Sequence, residues 1–215
     1  MKKWIQRHAQ TYHRSTDSMK QFYERIHGLY WFVEKYMGHC LTDVMSELSA
    51  RIPLSGRLTA LEYCCGSGLL TIELSQYFEA VTARDLSPKM LARAQKRTAR
   101  KSNISFSEGN VLHIDDPDSC ADYAFISFGL HLFSPTDRKE ILRQLLRTAR
   151  KEVIIIEHLP KVELLVALAE WLEGSHYFDF VNTEWRKVAD ELNAHVDRDI
   201  ICKMQVQRWR LNSSR

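Results

Sequence analysis

Residues 61–68 read LEYCCGSG, an apolar segment that runs into two closely spaced glycines. An amphipathic stretch, SGLLTIELSQYF, begins at Ser67. Glycines between a strand and a helix let the backbone approach a ligand closely, and the exposed N–H groups there favour hydrogen-bond acceptors. The pattern indicates a nucleotide-type ligand at the end of this strand, although an ordinary tight turn could contain the same pair of glycines.

Short apolar segments alternate with amphipathic ones along the rest of the chain, which predicts an α/β fold with a parallel sheet. Ser87-Pro88 and Ser134-Pro135 are typical helix starts, with a hydroxyl cap before a proline. Two helices separated near Gly38 are predicted between residue 16 and about residue 50, and two more between 161 and about 194, separated near Gly174. The segments DRDIICKM (197–204) and QVQRWRL (205–211) follow each other with almost no loop, so they predict an antiparallel hairpin.

The length and composition fit one compact domain. The chain has 215 residues, 45% of them hydrophobic, and its 30 basic and 27 acidic side chains nearly balance, which excludes a largely disordered protein and does not favour a nucleic-acid binder. The basic residues of the stretch 88–101 are interpreted as the solvated face of a helix. No secretory signal or membrane span is recognised, so a soluble cytoplasmic protein is expected. Five cysteines without zinc-ribbon spacing predict free thiols and no structural metal.

A second acceptor group supports the ligand prediction. Asp85 ends the next predicted strand, where a carboxylate in a doubly wound fold can accept two hydrogen bonds from ribose hydroxyls. A dinucleotide site fits poorly, because Thr71 stands where a third small residue is expected and Glu62 lies inside the strand.

At this point the sequence resembles the class I S-adenosylmethionine-dependent methyltransferases. Within them it resembles the small family that includes ubiquinone/menaquinone C-methyltransferases and bacterial phosphatidylethanolamine N-methyltransferases. The resemblance runs from about Tyr23 to the C-terminus and is carried by YERI (23–26) and Tyr30, then LEYCCGSG, VTARDLSPKML, SEGNVLHI, ADYAFISFGLHLF and VIIIEH.

The resemblance implies a doubly wound, Rossmann-like seven-stranded sheet of order 3-2-1-4-5-7-6 whose last strand is antiparallel. It also implies one domain over 1–215, in which N-terminal helices (1–56) form a lid on a core (57–215). The implied activity is methyl transfer from S-adenosyl-L-methionine to a small-molecule acceptor by in-line displacement. Alternatives are a phosphatidylethanolamine-type lipid N-methyltransferase at a membrane surface, contacted by the basic tail with Trp4, Tyr12 and Phe22, and a non-catalytic cofactor-binding domain.

Carried over position by position, the resemblance assigns cofactor contacts. Glu62 would orient the glycine loop and the methionine amino group, Asp85 would hold the ribose, and Leu86 and Met90 would face the adenine. The remaining cofactor-binding residues implied are Tyr23, Cys64, Cys65, Gly66, Ser67, Gly68, Asn110, Val111, Ser127 and Phe128. Cys64 and Asn110 depart from the family, which usually has Gly and Asp there. We expect Cys64 to adopt a conformation that a β-carbon permits and Asn110 to keep an acceptor for adenine.

Candidate catalytic residues are His131, His158 and Tyr30. His131 and His158 follow the fourth and fifth strands, where ligands of open α/β sheets bind, and a histidine titrates near neutral pH. His131 could instead cap a helix, and His158, like Glu157, could simply meet solvent. Tyr23, His27 and Tyr30 share a helix face, which could equally be a core stripe. The stretch WLEGSHYFDF (171–180) could line an aromatic acceptor pocket or fill a local core.

Overall fold

The computed structural model describes residues 31–54, 57–159 and 174–212, together with Ser18 and Gln21; for 31–36 only the backbone is described. Some predictions concern residues outside these ranges: the basic tail, Tyr23, His27, Tyr30 and Trp171. None of the described helices is long and apolar enough to cross a membrane.

Helices and strands alternate as predicted. The described helices are α1 (Trp31–Arg51), α2 (Leu69–Tyr77), α3 (Pro88–Arg97), α4 (Pro135–Thr148), α5 (Tyr177–Val181) and α6 (Trp185–Glu191). The strands are β1 (Thr59–Tyr63), β2 (Ala80–Asp85), β3 (Ile104–Glu108), β4 (Ala121–Ser127), β5 (Ala149–His158), β6 (Ala194–Ile201) and β7 (Met204–Leu211). A single 3₁₀ turn, Leu130–Leu132, separates β4 from α4.

The strands form one sheet of order β3-β2-β1-β4-β5-β7-β6, which confirms the predicted topology. The first five strands are parallel, and β7 runs antiparallel to both β5 and β6. The strand order reverses between β1 and β4, which is where ligands bind in doubly wound folds.

Both faces of the sheet are covered, so its central strands are mostly apolar and largely buried. On one face α4 packs on β4, β5 and Trp209. On the other face α1 and α2 pack on Tyr123, Phe125 and Val206. One face of the second half of α1, including Leu41 and Val44, is fully buried in this core. The predicted lid over 1–56 consists mainly of residues that precede the second half of α1. It therefore remains a prediction.

The helix starts follow the predicted chemistry. The hydroxyl of Ser87 accepts a hydrogen bond from the backbone N–H of Met90, and that of Ser134 accepts one from Asp137. In α3 the buried residues are Met90, Leu91 and Ala94, while Lys89 and Lys96 are exposed, as a solvated basic face requires.

Two predicted boundaries are wrong. No break occurs at Gly38, because α1 is continuous and Gly38 faces Leu69 of α2, where a β-carbon would make only ordinary contact at 3.7 Å. The hairpin turn falls at Cys202-Lys203 rather than between 204 and 205, and β6 begins at Ala194. Both turn residues have positive φ, 47° and 61°, which matches the twist of the paired strands but gives no glycine signal in the sequence.

The strain in this turn is testable. Lys203→Gly should raise the free energy of unfolding by about 0.5 kcal/mol, because glycine adopts positive φ without a β-carbon clash. Lys96→Gly, at an exposed position in α3, should lower it by about 1 kcal/mol. Urea denaturation of both variants measures the difference, and equal destabilisation would contradict a strained turn.

Candidate functional site

An open cavity lies at the carboxyl ends of β1, β2 and β4, with an empty volume of about 980 Å³ including the solvent at its mouth. Eleven of the predicted cofactor-binding residues line it, and they come from four separate segments of the chain: Cys64, Cys65, Gly66, Ser67, Asp85, Leu86, Met90, Asn110, Val111, Ser127 and Phe128. The fold therefore brings most of the predicted site together. Glu62, Gly68, His131 and His158 are not among the lining residues.

The loop after β1 requires left-handed backbone at three positions. Cys64, Gly66 and Gly68 have φ values of 57°, 53° and 78°. Gly68 is needed twice over, since a β-carbon there would lie 2.9 Å from the β-carbon of Ala94 in α3. These conformations bring the loop backbone into the cavity wall.

Cys64 has a left-handed backbone, with φ of 57°, which a β-carbon permits only at a conformational cost. Its side chain finds space because Gly129 lies opposite: a β-carbon on Gly129 would be 2.9 Å from the β-carbon of Cys64 and 3.2 Å from its Sγ. Burial, with the neighbouring carboxylates, raises the pKa of the Cys64 and Cys65 thiols well above the usual range. Both thiols therefore stay protonated at neutral pH and are weak nucleophiles.

Asp85 joins the ends of two strands. Its Oδ2 accepts from the backbone N–H of Gly66 at 2.8 Å, and its Oδ1 accepts from that of Ser87 at 2.9 Å. Burial raises the pKa of this carboxyl, while the bonds from Ser87 and Gly66 act in the opposite direction. One acidic side chain thus fixes the glycine loop and the start of α3.

Glu62 is fully buried behind the loop. Its Oε2 accepts from the Thr71 hydroxyl at 2.6 Å, whereas Oε1 has no hydrogen-bond partner among the residues that the structure describes. Burial raises the pKa of Glu62 to about 8, against a lowering by the Thr71 bond. A buried carboxylate oxygen without a partner is costly, so a donor from a ligand would be favourable here.

The rest of the cavity rim combines polar and apolar groups. The side-chain oxygen of Asn110 accepts from the backbone N–H of Leu112 at 3.0 Å, and it retains a second lone pair for a ligand. Val111 is buried beside it. Phe128 also has a left-handed backbone, with φ of 50°, and it lines the cavity next to Ser127.

His131 is buried, with 2% of its surface exposed. Its Nδ1 lies 2.6 Å from Oε2 of Glu157, and Oε1 of Glu157 accepts from the backbone N–H groups of Leu130 and His131. Because this carboxylate anchors the 3₁₀ turn, it also positions two residues of the cavity wall: Gly129, which precedes the turn, and Leu132, its last residue. The His131 ring packs edge-on against Tyr177 and Phe180, one layer behind the cavity.

His158 lies between the cavity wall and this buried pair. Its ring centroid is 4.8 Å from that of Phe128 and 6.0 Å from that of His131. In the stretch 171–180, Tyr177 and Phe178 are buried with ring centroids 5.8 Å apart, and neither lines the cavity. The described part of that stretch fills a local core.

Several lining residues escaped the sequence analysis: Met37, Leu41, Leu69, Leu70, Ser87, Gly109, Gly129, Leu132 and Phe133. Met37 and Leu41 belong to a helix whose apolar spacing indicates only that one face is buried. Leu132 and Phe133 end the quoted stretch ADYAFISFGLHLF, so their position just after β4 was the available signal. Within the described ranges, no three metal-ligating side chains come together.

Residues 60–152 match a protein-family model described as "Methyltransferase domain". The demethylmenaquinone methyltransferase of Bacillus licheniformis is 32% identical over 104 residues, which cover 46% of this chain and 44% of that protein. The enzyme of the same name from Staphylococcus aureus strain MRSA252 is 29% identical over 121 residues, 55% and 48% of the two chains. The chain spans about half the length of the curated relatives it matches.

Solved structures show the fold. Magnesium protoporphyrin IX methyltransferase from Synechocystis PCC 6803 with bound SAH has a TM-score of 0.72 at 17% identity, covering 92% of this chain and 100% of that one. A SAM-dependent methyltransferase from Aquifex aeolicus has a TM-score of 0.61 at 19% identity, covering 77% and 87%. The predicted resemblance to class I methyltransferases is confirmed.

The contact between Cys64 and Gly129 predicts a coupled pair of substitutions. Gly129→Ala should lower the free energy of unfolding by about 1–3 kcal/mol, because the new β-carbon overlaps Cys64. In a Cys64→Gly background this loss should shrink by about 1 kcal/mol or more, which a double-mutant cycle in urea measures. Gly38→Ala is the control, since its β-carbon has room; strictly additive losses at 64 and 129 would contradict the contact.

The buried Glu62 carboxyl predicts a pH dependence. Between its usual pKa of 4.5 and the folded value of about 8, the folded protein holds a proton that the unfolded chain has released. Stability from this group therefore falls as pH rises across that window, by up to about 1.4 kcal/mol per pH unit. Glu62→Gln should flatten the curve of unfolding free energy between pH 5 and 8. The exposed control Glu79→Gln should not, and parallel curves for wild type and Glu62→Gln would rule out the buried ionisation.

Proposed function

We propose that this chain, a class I methyltransferase in fold and domain, transfers a methyl group from S-adenosylmethionine to an apolar, aromatic small-molecule acceptor of the quinol type. The observation that carries the proposal is the convergence, on one cavity, of a left-handed glycine loop, the Asp85 carboxylate and an apolar rim. Oε1 of Glu62, directly behind the loop, finds no partner within the described part of the chain and adds a place for a cationic group.

These residues suit the cofactor group by group. An ammonium donor can satisfy Glu62, which would then ionise more readily. The loop Cys65–Gly68 offers backbone to the methionine part, with Ser127 and Phe128 as its border, and Asp85 offers carboxylate acceptors to the ribose. Leu86, Met90 and Val111 offer apolar surface to the adenine, and Asn110 offers an acceptor for its amino group. Tyr23 keeps its predicted role as a residue that closes over the cofactor.

When bound, the cofactor supplies a sulfonium methyl group, so the leaving thioether needs no proton from the protein. The chain's part is to align the acceptor atom and to exclude water. Five apolar residues form the cavity wall beside the β4 end and α1: Met37, Leu41, Phe128, Leu132 and Phe133. Such a wall favours a flat apolar acceptor, which agrees with the quinone-type substrates in the names of the relatives.

Proton transfer is needed only if the acceptor must lose a proton, as a quinol carbon or hydroxyl does. His131 and His158 remain our candidates for receiving it, and Tyr30 stays a third. With Oε1 of Glu157 engaged by two backbone N–H groups, Oε2 is the natural acceptor for an Nδ1–H of His131, which fixes the orientation of the ring. Because His131 lies behind Gly129 and Leu132, contact with an acceptor requires this part of the wall to move.

The non-catalytic alternative rests on the departure from the family at Cys64, where the family usually has glycine. Cys64 does not close the cavity, since the missing side chain of Gly129 leaves space for it. The membrane-surface alternative rests on Trp4, Tyr12 and Phe22, for which the structure adds no observation.

Two measurements test the proposal. First, calorimetry with S-adenosylhomocysteine should show an affinity lower by about tenfold or more in Asp85→Asn. An amide cannot accept hydrogen bonds from both Gly66 and Ser87 and still accept from a ribose. Asp118→Asn is the control, since this carboxylate is 77% exposed and pairs with Arg147 away from the cavity. Unchanged affinity in Asp85→Asn would contradict the site.

Second, transfer of labelled methyl from S-adenosylmethionine should be assayed against a panel that contains a reduced naphthoquinone with one free ring carbon, a fully substituted analogue, a phenol, a thiol and phosphatidylethanolamine vesicles. Label on the first compound and not on its substituted analogue is the expected result. Label on the lipid alone would replace the quinol-type acceptor with a lipid, and binding without transfer to any member would leave a cofactor site without the proposed acceptor class.

A further inference from the structure

Two cysteines from opposite ends of the chain meet at the edge of the sheet. Cys40 lies in α1 and is 6% exposed, and Cys202 is the first residue of the β6–β7 turn and is half-buried. Their Sγ atoms are 3.1 Å apart although 162 positions separate them in the sequence. The other three cysteines do not form such a long-range pair. Cys64 and Cys65 are neighbours in the chain, and the Sγ of Cys120 contacts the backbone oxygen of Thr148.

Both cysteines are held on ordered elements. The residues that follow Cys40 in α1, Leu41 and Val44, are completely buried. Cys202 sits in a two-residue turn with φ of 47° between two strands that pair over their whole length. A disulfide has an S–S distance of about 2.05 Å, so a shift of roughly 1 Å in two side chains would join the atoms.

We propose that Cys40 and Cys202 are a reversible cross-linking site, at which a small-molecule disulfide such as oxidised glutathione converts the two thiols to an intramolecular disulfide. The thiolate of Cys202, the more exposed partner, attacks the small disulfide and releases one thiol. The thiolate of Cys40 then attacks Cys202 Sγ and releases the second. Two protein thiols lose two electrons and two protons, and the oxidant gains them as two small thiols.

The cross-link would act on the candidate site through α1. Met37 and Leu41, on either side of Cys40, belong to the cavity wall. Joining α1 to the hairpin fixes this wall to the sheet, so the oxidised protein should open less there. The inference does not depend on the proposed methyl transfer, because the cross-link and its effect on α1 can be measured without cofactor or acceptor.

Asp43 restrains the reaction. Its Oδ2 lies 3.3 Å from Cys202 Sγ, and the hydrogen bonds with Cys40 and Asp43 raise the pKa of Cys202 to about 12. Thiolate is the attacking species in disulfide exchange, so cross-linking should be slow near neutral pH. Asp43→Asn, which removes the negative charge, should accelerate it about threefold or more.

The experiment uses the folded full-length chain with oxidised glutathione, followed by alkylation of free thiols and peptide mapping by mass spectrometry. We expect a Cys40–Cys202 peptide that dithiothreitol removes, and a midpoint of thermal unfolding higher by on the order of 5 °C. Hydrogen exchange in α1 should slow on oxidation in wild type and in Cys120→Ser, but not in Cys202→Ser.

The opposite outcomes would overturn the cross-link itself or one of the steps argued from it. A stable glutathione adduct on Cys202 with Cys40 still alkylatable would show that the second exchange does not occur. Cross-linking with unchanged exchange in α1 would refute the effect on the wall. A rate in Asp43→Asn no higher than in wild type would refute the role of Asp43, and Cys40→Ser, with Cys202 left exposed, checks that the adduct on Cys202 forms when its partner is missing.

Discussion

The carboxylate of Asp85 holds the candidate site in one piece. Its two oxygens bind the glycine loop at Gly66 and the start of α3 at Ser87. Separating the ends of β1 and β2 would therefore break the bond from Gly66 and leave one donor and one acceptor without a partner. Burial makes the charged carboxylate less favourable, and the backbone N–H groups offset part of that cost. The carboxylate that connects two strand ends is thus also a group that defines the shape of the cavity.

The sheet topology determines which residues can reach this carboxylate. β1 pairs with β2 on one side and with β4 on the other, and their connections leave the sheet in opposite directions at this point. The β1 loop therefore faces the β4 loop across a gap, and Gly129 comes close to Cys64 from the far side. Glu157, at the end of β5, anchors the 3₁₀ turn that follows β4. The ends of β2, β1, β4 and β5, which are neighbours in the sheet, thus either line the cavity or anchor its wall.

Local chemistry was sufficient to predict the strands, the capped helices, and the glycine loop and Asp85 at two strand ends, whereas the other predicted lining residues came from the family resemblance. Ser87 and Ser134 signal helix starts through a hydroxyl and a proline, and Asp85 signals a strand end, so each can be recognised within a few residues. The apolar wall could not be recognised in this way. Met37 and Leu41 have the same periodicity as any buried helix face, and only the packing of α1 on the sheet brings them to the cavity. His131 also looked like a side chain at a ligand site, but its environment is set by Glu157, 26 positions away. The turn at Cys202 lacks the glycine or asparagine that usually marks positive φ, because strand pairing imposes the conformation.

Cys64 shows how a chain can depart from a motif and keep the site that the motif builds. The loop requires a left-handed backbone at this position whether or not a glycine is present, so the cysteine bears a conformational cost of roughly 1 kcal/mol. A side chain at position 64 points toward the β4 loop, so it also needs space between the two loops. Gly129 supplies that space, since any β-carbon there would overlap Cys64. The two positions are 65 residues apart in the chain and must be read together: a glycine at 64 matters for the backbone, and a glycine at 129 matters for the volume. A substitution that looks disabling in the motif alone is therefore compatible with an open cavity in the folded protein.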